Sequence, residues 1–270
     1  MGGKGWVGRL AWGAGAWLWL LLLPGGCQDG STAVVPAAGQ PAAAAVYANR
    51  VIAHAEINST GATAAQWPYF FNPGAVLGPP GGTLDVFSLG YTVTAGYDPV
   101  QGYDPTGTAA PGGSVTVGLG DPADPAVRAC AVDGAGADLA VYENPFRTQD
   151  SAGNAGTNNE VATVEVSADG QTWYPFPHGE DAARPLIDPA RYRNFAGVTP
   201  LADGGDRFDL ADVIAANGLP ADFRACYVRL TDGGTRWADY GNTQSDLYRS
   251  GADIDAVQAL HWVWVTGLVP

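Results

Sequence analysis

The stretch VATVEVSADGQTWYPF, residues 161–176, decides the fold class, because apolar and polar side chains alternate along its first half and a turn follows. Ala162, Val164 and Val166 fall on one face of an extended chain, and the residues between them fall on the other. The Asp-Gly dipeptide at 169–170 then favours a chain reversal, since it readily adopts the positive φ angles of a type I′ turn. After it, the segment TWYPF resumes as a partner strand. The stretch therefore predicts an antiparallel β-hairpin.

Alternating runs of the same kind recur along the chain, separated by clusters of Gly, Pro and Asp. They are SVTVGLG, DLAVYEN, CYVRLTD and DAVQALHWVWV. The composition agrees, since 38 Gly and 20 Pro among 270 residues suit many short strands joined by turns. We therefore predict an all-β fold, an antiparallel β-sandwich that forms one domain over residues 46–270.

One segment departs from this alternation. In DLADVIAAN, residues 209–217, the apolar side chains of Leu210, Val213 and Ile214 share one face of a helix. Its first residue, an Asp, suits the N-cap position, and Gly218 suits the residue just past the C-terminal end. The pattern therefore predicts a short helix near residues 209–217, placed between strands.

The N-terminal end has the pattern of an export signal. Lys4 and Arg9 precede an apolar run over residues 10–23, which is shorter than the roughly 20 residues that a membrane-spanning helix needs. Small residues then lead to Cys27, as in the lipobox of bacterial lipoproteins, where the matching cysteine carries the lipid. We therefore expect a lipoprotein signal peptide over residues 1–26 and a membrane anchor at Cys27. Cleavage by an ordinary signal peptidase is the alternative.

Composition and charge indicate a surface protein rather than a nucleic-acid partner. Residues 27–45 are rich in Ala, Pro and Gly, which is typical of a tether that holds a domain off a bacterial outer membrane or cell surface. Acidic side chains outnumber basic ones by 27 to 13, and the net charge of −14 argues against nucleic acid as a partner.

Cys130 and Cys226 remain as an even pair once Cys27 is used for the lipid. Export would place them in an oxidising compartment, where a disulfide between them is expected. Two buried, unpaired thiols are the alternative, because the sequence does not show whether the two Cα atoms come close together.

Several catalytic classes lack their signatures in this sequence. There is no Gly-x-Ser-x-Gly elbow, and the one lysine lies in the predicted signal peptide, which excludes Ser-x-x-Lys and P-loop motifs from the mature chain. His54, His178 and His261 are far apart and form no zinc motif, and the alternating run around His261 predicts an ordinary strand residue. An acid pair could cleave a glycosidic bond, but its spacing is a three-dimensional quantity. We therefore lean towards a function without catalysis.

Several motifs of the sequence resemble those of known protein families. VEVSADGQTWYPF and FRACYVRLTD resemble strands of discoidin and coagulation-factor type C domains. FSLG, GGSVTVGLG, GAGADLAVYENPF, GGDRFDL and GADIDAV, in that order, resemble a group of bacterial cell-surface lipoproteins with a galactose-binding-like jelly roll. The resemblance covers about residues 46–263, and it implies a jelly-roll fold and a surface location more firmly than an activity.

The resemblance also implies a structural calcium ion, which several jelly rolls hold. Calcium accepts six to eight oxygen ligands from carboxylates, amides and carbonyls. Asp253 and Asp255 share one face of an alternating strand, as a chelating pair requires. Asp138, Glu143 and Asn144 are further candidates, although the alternation places Asp138 and Glu143 on opposite faces. Turn capping and buried hydrogen bonding are the alternative roles of these acids.

Four aromatic residues in turn-rich segments are candidate ligand contacts, because sugars stack their C–H faces on exposed rings. They are Trp67 and Tyr69 in AAQWPYFFNPG, and Trp237 and Tyr240 in GGTRWADYGN. Ordinary loop packing is their alternative role. We therefore expect a non-catalytic binding module for a glycan or another envelope component. A structural or adhesive protein that binds other proteins is one alternative, and a carbohydrate-active hydrolase is another.

Overall fold

The computed structural model describes residues 33–34, 45–55, 72–81, 87–89, 112–143, 147–150, 152–233 and 251–265. The chain divides into two units, Met1–Gly30 and Ser31–Pro270, and every described residue lies in the second. Several predictions fall outside the described residues. These are the signal peptide, the lipid site at Cys27, the candidate ligand Asn144, and the aromatic residues Trp67, Tyr69, Trp237 and Tyr240.

Within these segments the chain forms seventeen strands and one α-helix. The strands are β1 (Ala33–Val34), β2 (Val46–Ala55), β3 (Phe87–Ser88), β4 (Ser114–Asp121), β5 (Asp124–Val132), β6 (Leu139–Glu143), β7 (Arg147–Gln149), β8 (Ala155–Thr157), β9 (Ala162–Ser167), β10 (Tyr174–Pro175), β11 (Gly179–Glu180), β12 (Tyr192–Arg193), β13 (Asp206–Phe208), β14 (Arg224–Ala225), β15 (Tyr227–Asp232), β16 (Asp253–Ala259) and β17 (Trp262–Val265). The helix is α1 (Leu210–Asn217), and short 3-10 turns cover Pro73–Val76, Pro189–Arg191 and Leu201–Asp203. None of the helices in the described segments is long and apolar enough to cross a membrane.

Thirteen of these strands form one curled antiparallel sheet. Its main order is β1-β17-β5-β4-β2-β16-β6-β13, and β15 joins β4 to β9, which pairs in turn with β10. The sheet curls around an apolar core built from alternate positions of its strands, from α1 and from connecting segments. The largest fully buried apolar side chains there are Phe87, Phe176, Phe208, Leu89, Leu119, Leu139, Leu210, Leu230 and Ile254. The predicted all-β, antiparallel, sandwich-like fold is confirmed.

The hairpin predicted from residues 161–176 is formed by β9 and β10, but its turn is longer than two residues. Tyr174 lies opposite Val166, so six residues, 168–173, connect the strands. The Oδ1 atom of Asp169 accepts the backbone N–H groups of the second and third residues after it, each at 2.8 Å. Of the two turn residues only Gly170 has a positive φ, of 74°. The type I′ turn is therefore wrong, because the Asp carboxylate organises a wider loop.

The predicted helix is confirmed as α1. Asp209 is its N-cap, and the Oδ1 atom of this residue accepts the backbone N–H of Ala211 at 2.9 Å. The helix ends at Gly218, whose φ of 62° allows the chain to turn away. Leu210 and Val213 are buried in the main core, so α1 packs against the sheet through its apolar side.

Cys130 and Cys226 form a disulfide, as predicted. Ala225 of β14 pairs with Ala131 of β5, which brings Cys226, the residue just after β14, opposite Cys130 of β5. The Cα atoms of the two cysteines are 4.0 Å apart. The disulfide therefore links neighbouring strands of the sheet across 96 residues of sequence.

Part of the predicted tether takes part in the sheet. Ala33–Val34 form β1, which pairs antiparallel with Trp264 and Val265 of β17. The fold therefore includes two residues N-terminal to position 46.

Candidate functional site

Glu143 and Asp253 come together where β6 ends and β16 begins. Ile254 lies opposite Glu143 in the sheet, so the two acids meet at the same end of neighbouring strands. The Oε1 atom of Glu143 accepts the backbone N–H of Asp253 at 3.0 Å. Glu143 is fully buried and Asp253 is 8% exposed. Two of the predicted metal ligands are therefore brought together in the interior.

Each of these carboxyl groups leaves one oxygen without a hydrogen-bond partner among the described residues: Oε2 of Glu143 and Oδ1 of Asp253. Burial raises the pKa of Glu143 well above its usual range, and the nearby carboxyl groups of Glu160, Asp253 and Asp206 raise it further. Burial also raises the pKa of Asp253 to about 7, although a hydrogen bond from the Ser88 side chain opposes the shift. Such a pair requires protons or a bound cation, since buried negative charge is costly without compensation.

Asp206 is a third buried acid of this region. Its Oδ2 atom accepts the backbone N–H of Val198 at 3.0 Å, and its Oδ1 atom accepts that of Thr199 at 2.9 Å. Burial raises the pKa of Asp206 to about 6, even though these hydrogen bonds favour the ionised form. Unlike Glu143 and Asp253, this carboxylate has backbone donors on both oxygens.

Asp255 has a hydrogen-bond partner of its own. The pairing of β16 with β6 shifts register between Ile254 and Ala256, so a β-bulge interrupts the alternation from which the shared face was predicted. The Oδ1 atom of Asp255 accepts the backbone N–H of Gly81 at 3.1 Å. The partner that the structure brings to Asp253 is therefore Glu143.

Asp138 lies at a separate place and holds three donors. Its Oδ1 atom accepts the backbone N–H of Gly134 and the Nδ1–H of His261, each at 2.8 Å. Its Oδ2 atom accepts the backbone N–H of Leu210, the first residue of α1, at 2.8 Å. Because a carboxylate oxygen is the acceptor, Nδ1 of the histidine carries the proton. The sequence pattern does not indicate this contact, since His261 lies 123 residues from Asp138.

Asp133, Asp138 and Asp209 form an acidic triad that could hold a metal ion, because one carboxylate oxygen of each lies within 4.8 Å of the others. Two of the three already serve α1. The backbone N–H of Leu210 binds Asp138, and that of Ala211 binds Asp209. The partial positive charge at a helix N-terminus stabilises these carboxylates without an ion.

Cys130 and Cys226 lie in a second apolar cluster, apart from the main core. The disulfide packs there with Tyr227 and Val265, and with the half-buried side chains of Trp173 and Val263. This cluster therefore places aromatic rings on the side of the sheet that faces away from the main core.

Arg229 covers one of these rings. Its guanidinium carbon lies 4.3 Å from the centroid of the Trp173 ring, and its Nε donates to Oε2 of Glu165 at 2.6 Å. The tryptophan thus contributes a cation–π contact beside an ion pair.

Comparison with known proteins assigns no family. No protein-family model matches the chain, and no curated protein is significantly similar to it in sequence. The resemblance to galactose-binding-like lipoproteins therefore stays a prediction.

Proposed function

We propose that this chain is a non-catalytic, lipid-anchored cell-surface module that binds carbohydrate and is stabilised by a calcium ion at Glu143 and Asp253. The observation that carries the ion is the pair of buried carboxyl groups, each with one oxygen that has no partner among the described residues. Calcium binds carboxylate oxygens readily and takes six to eight oxygen ligands, so neighbouring backbone and amide oxygens would complete the shell. Asn144, the next residue after β6, is the candidate amide ligand.

The Glu143–Asp253 pair is a better cation site than the acidic triad. The carboxylates of Asp138 and Asp209 each accept a hydrogen bond from a backbone N–H of α1. The positive end of that helix also opposes a cation. The Oε2 atom of Glu143 and the Oδ1 atom of Asp253 have no hydrogen-bond donor among the described residues. A cation bound between them would compensate the negative charge of both carboxylates.

The burial of Glu143 and Asp253 favours a binding function over glycan hydrolysis by this pair of acids. The two carboxyl groups of a glycosidase must contact the sugar on either side of the scissile bond. Glu143 is fully buried and Asp253 is 8% exposed, so neither is open to a substrate. The proposed sugar contacts remain Trp67, Tyr69, Trp237 and Tyr240, and the proposed anchor remains Cys27.

The calcium site is tested by thermal unfolding of the chelator-treated chain with and without calcium. A ligand that binds only the native state raises its stability, by about 2.7 kcal/mol at a concentration one hundred times its Kd. We expect a reversible rise in melting temperature for the wild type and for Asp209→Asn. The Asp209→Asn variant is a matched control, because Asn is also a good N-cap while the triad loses one charge. We expect no rise for Asp253→Asn or Glu143→Gln.

Two other outcomes would change the proposal. If Asp209→Asn loses the calcium response while Asp253→Asn keeps it, the ion belongs to the acidic triad. If the wild type shows no response up to millimolar calcium, the buried pair holds protons instead.

The carbohydrate ligand is tested by binding of the calcium-loaded chain to an array of glycans. We expect Trp67→Ala and Trp237→Ala to lose binding while their melting temperatures stay close to that of the wild type. Binding to no glycan, with capture of a purified envelope protein, would instead favour the adhesive alternative.

A further inference from the structure

Two arginines lie on the side of the sheet opposite the core. Strand β4 buries Val115, Val117 and Leu119 in the main core, so the glycines between and after them lie on the other side, here called the outer face. Gly118 pairs with Arg50 of β2, and Gly120 pairs with Arg128 of β5. The two arginines therefore flank a strip of β4 that carries no side chains on the outer face.

The absence of a side chain at Gly118 lets the Arg50 guanidinium lie directly over the strand. A Cβ atom at Gly118 would come within 2.5 Å of the Cζ and Nη2 atoms of Arg50. On the other side, the Arg50 guanidinium carbon lies 5.8 Å from the centroid of the Tyr227 ring. The guanidinium group of Arg50 therefore lies between Gly118 and the Tyr227 ring.

Asn49 fixes the position of the Arg50 guanidinium between Gly118 and Tyr227. The register shift between β2 and β4 at this position lets neighbouring residues approach the same part of the partner strand. The Nη1 atom of Arg50 donates to Oδ1 of Asn49 at 3.0 Å. The Asn49 Nδ2 in turn donates to the backbone oxygens of Asp121, Asp124 and Val127 at 3.2, 3.2 and 2.9 Å. The position of the arginine is therefore tied to the β4–β5 hairpin.

The charges at this place are not balanced by the described residues. Burial lowers the pKa of Arg50, and the positive charge of Arg128 lowers it further, although a hydrogen bond with the Tyr227 side chain opposes the shift. Both arginines are half-buried, and the Nη2 atom of Arg50 and the Nη1 atom of Arg128 have no acceptor among the described residues. Two positively charged guanidinium groups, each with a donor that lacks an acceptor, thus lie near each other in a chain with a net charge of −14.

Other arginines show that acid partners are abundant. Four arginines of the described residues form ion pairs with carboxylates: Arg147, Arg184, Arg191 and Arg229. The described part of the chain supplies no such carboxylate to Arg50 or Arg128. A bound anion would offset the repulsion between the two guanidinium groups and would accept hydrogen bonds from both donors.

We propose that Arg50 and Arg128 bind an oxyanion, the carboxylate or sulfate group of an acidic polysaccharide. Guanidinium groups form charge-assisted, often bidentate hydrogen bonds with such planar or tetrahedral anions. The oxyanion site stands on the geometry of the two arginines alone. Its assignment to a sugar rests on the proposed carbohydrate function.

The site is tested first with sodium sulfate, compared with sodium chloride at equal ionic strength, by thermal unfolding of the whole chain. We expect sulfate to stabilise the wild type, and we expect Arg128→Gln to weaken the apparent affinity roughly tenfold to a hundredfold. Arg207→Gln is the matched control, because Arg207 is exposed and lies on β13. It should respond to sulfate as the wild type does.

Gly118→Ala is a second variant that keeps every charge. The added Cβ atom would displace the Arg50 guanidinium from its position over Gly118, so the variant should bind sulfate more weakly. The variant should still fold, because the displaced group is the end of a flexible side chain. Equal sulfate responses in the wild type, Arg128→Gln and Gly118→Ala would overturn the proposal, as would no response in any of them.

Oligosaccharides separate this inference from the proposed function. We expect an oligogalacturonate to bind more tightly than its carboxyl-reduced, neutral counterpart, and Arg128→Gln to remove the difference. If sulfate binds at the two arginines but no sugar binds, the oxyanion site stands and the carbohydrate function fails. If both sugars bind equally to the wild type and to Arg128→Gln, the carbohydrate function stands and the oxyanion site is overturned.

Discussion

The Oε1 atom of Glu143 accepts the backbone N–H of Asp253 at 3.0 Å, while the Oε2 atom of the same carboxyl group has no partner among the described residues. The contact joins β6 to β16 across 110 residues of sequence. Burial raises the pKa of both side chains, so the protons or the cation that they hold must contribute to the stability of this end of the sheet.

Without a divalent cation, the stability of the protein should fall as the pH rises from 5 to 8. Burial raises the pKa of Asp253 from 3.8 to about 7 and that of Asp206 from 3.8 to about 6. Between the unfolded and folded values the native state binds more protons, so their stabilising contribution is complete below about pH 4 and is lost through pH 6 to 7. The loss should be on the order of a few kcal/mol, measured by urea unfolding in the presence of a chelator.

Asp253→Asn is the control for this pH dependence, because its side chain stays neutral at every pH. It should be less sensitive to pH than the wild type and more stable than it at pH 8 in a chelator. Calcium should restore the wild type at pH 8 and have little effect at pH 5, where protons occupy the pair. A wild-type stability that stays constant or rises from pH 5 to 8 in a chelator would contradict the prediction.

The fold class could be predicted because its determinants are local. Alternation in VATVEVS fixes which side chains β9 buries, and the cap at Asp209 with Gly218 fixes both ends of α1. The turn after β9 could not be predicted in detail. Its width depends on which backbone N–H groups the Asp169 carboxylate captures, and a dipeptide signal does not encode that choice.

The candidate sites depend on contacts that sequence spacing does not contain. Asp253 and Asp255 satisfy the period-two rule, but a β-bulge falls between them, and the contact of Asp253 with Glu143 comes from the neighbouring strand. The pairing of Arg50 with Arg128 follows from the strand order around β4, which alternation alone does not specify. The candidate acids were recognisable by type, but their partners required the topology.

Replacing Asp169 with Ala should destabilise the β9–β10 hairpin. The carboxylate accepts the backbone N–H groups of Thr172 and Gln171, and these hydrogen bonds hold its pKa below its usual value. Their loss at this exposed loop should lower the free energy of unfolding by about 1 kcal/mol, as measured by urea unfolding. Asp169→Asn keeps an acceptor oxygen and should lose less, so equal losses in the two variants would argue against the loop hydrogen bonds.

Removing the disulfide should cost more than any loop substitution. Cys130 and Cys226 close a loop with a sequence separation of 96, for which chain entropy predicts a contribution of roughly 4–5 kcal/mol. The double variant Cys130→Ala with Cys226→Ala should unfold at a lower urea concentration and should not respond to a reductant. The wild type treated with reductant, its thiols counted by mass spectrometry, should match the double variant. An unchanged midpoint after complete reduction would contradict the prediction.

Replacing Asp138 with Asn should destabilise the protein by about 3 kcal/mol, because the fully buried carboxylate serves three donors and an amide offers a single acceptor oxygen. The amide N–H groups of Gly134 and Leu210 should then exchange with deuterium faster than in the wild type. His261→Ala should cost less, since its side chain is 40% exposed and its loss leaves both backbone donors in place. If the contact stabilises the fold, the two substitutions together should cost less than the sum of their separate effects in urea unfolding. Full additivity would mean that Asp138 acts through the backbone donors alone.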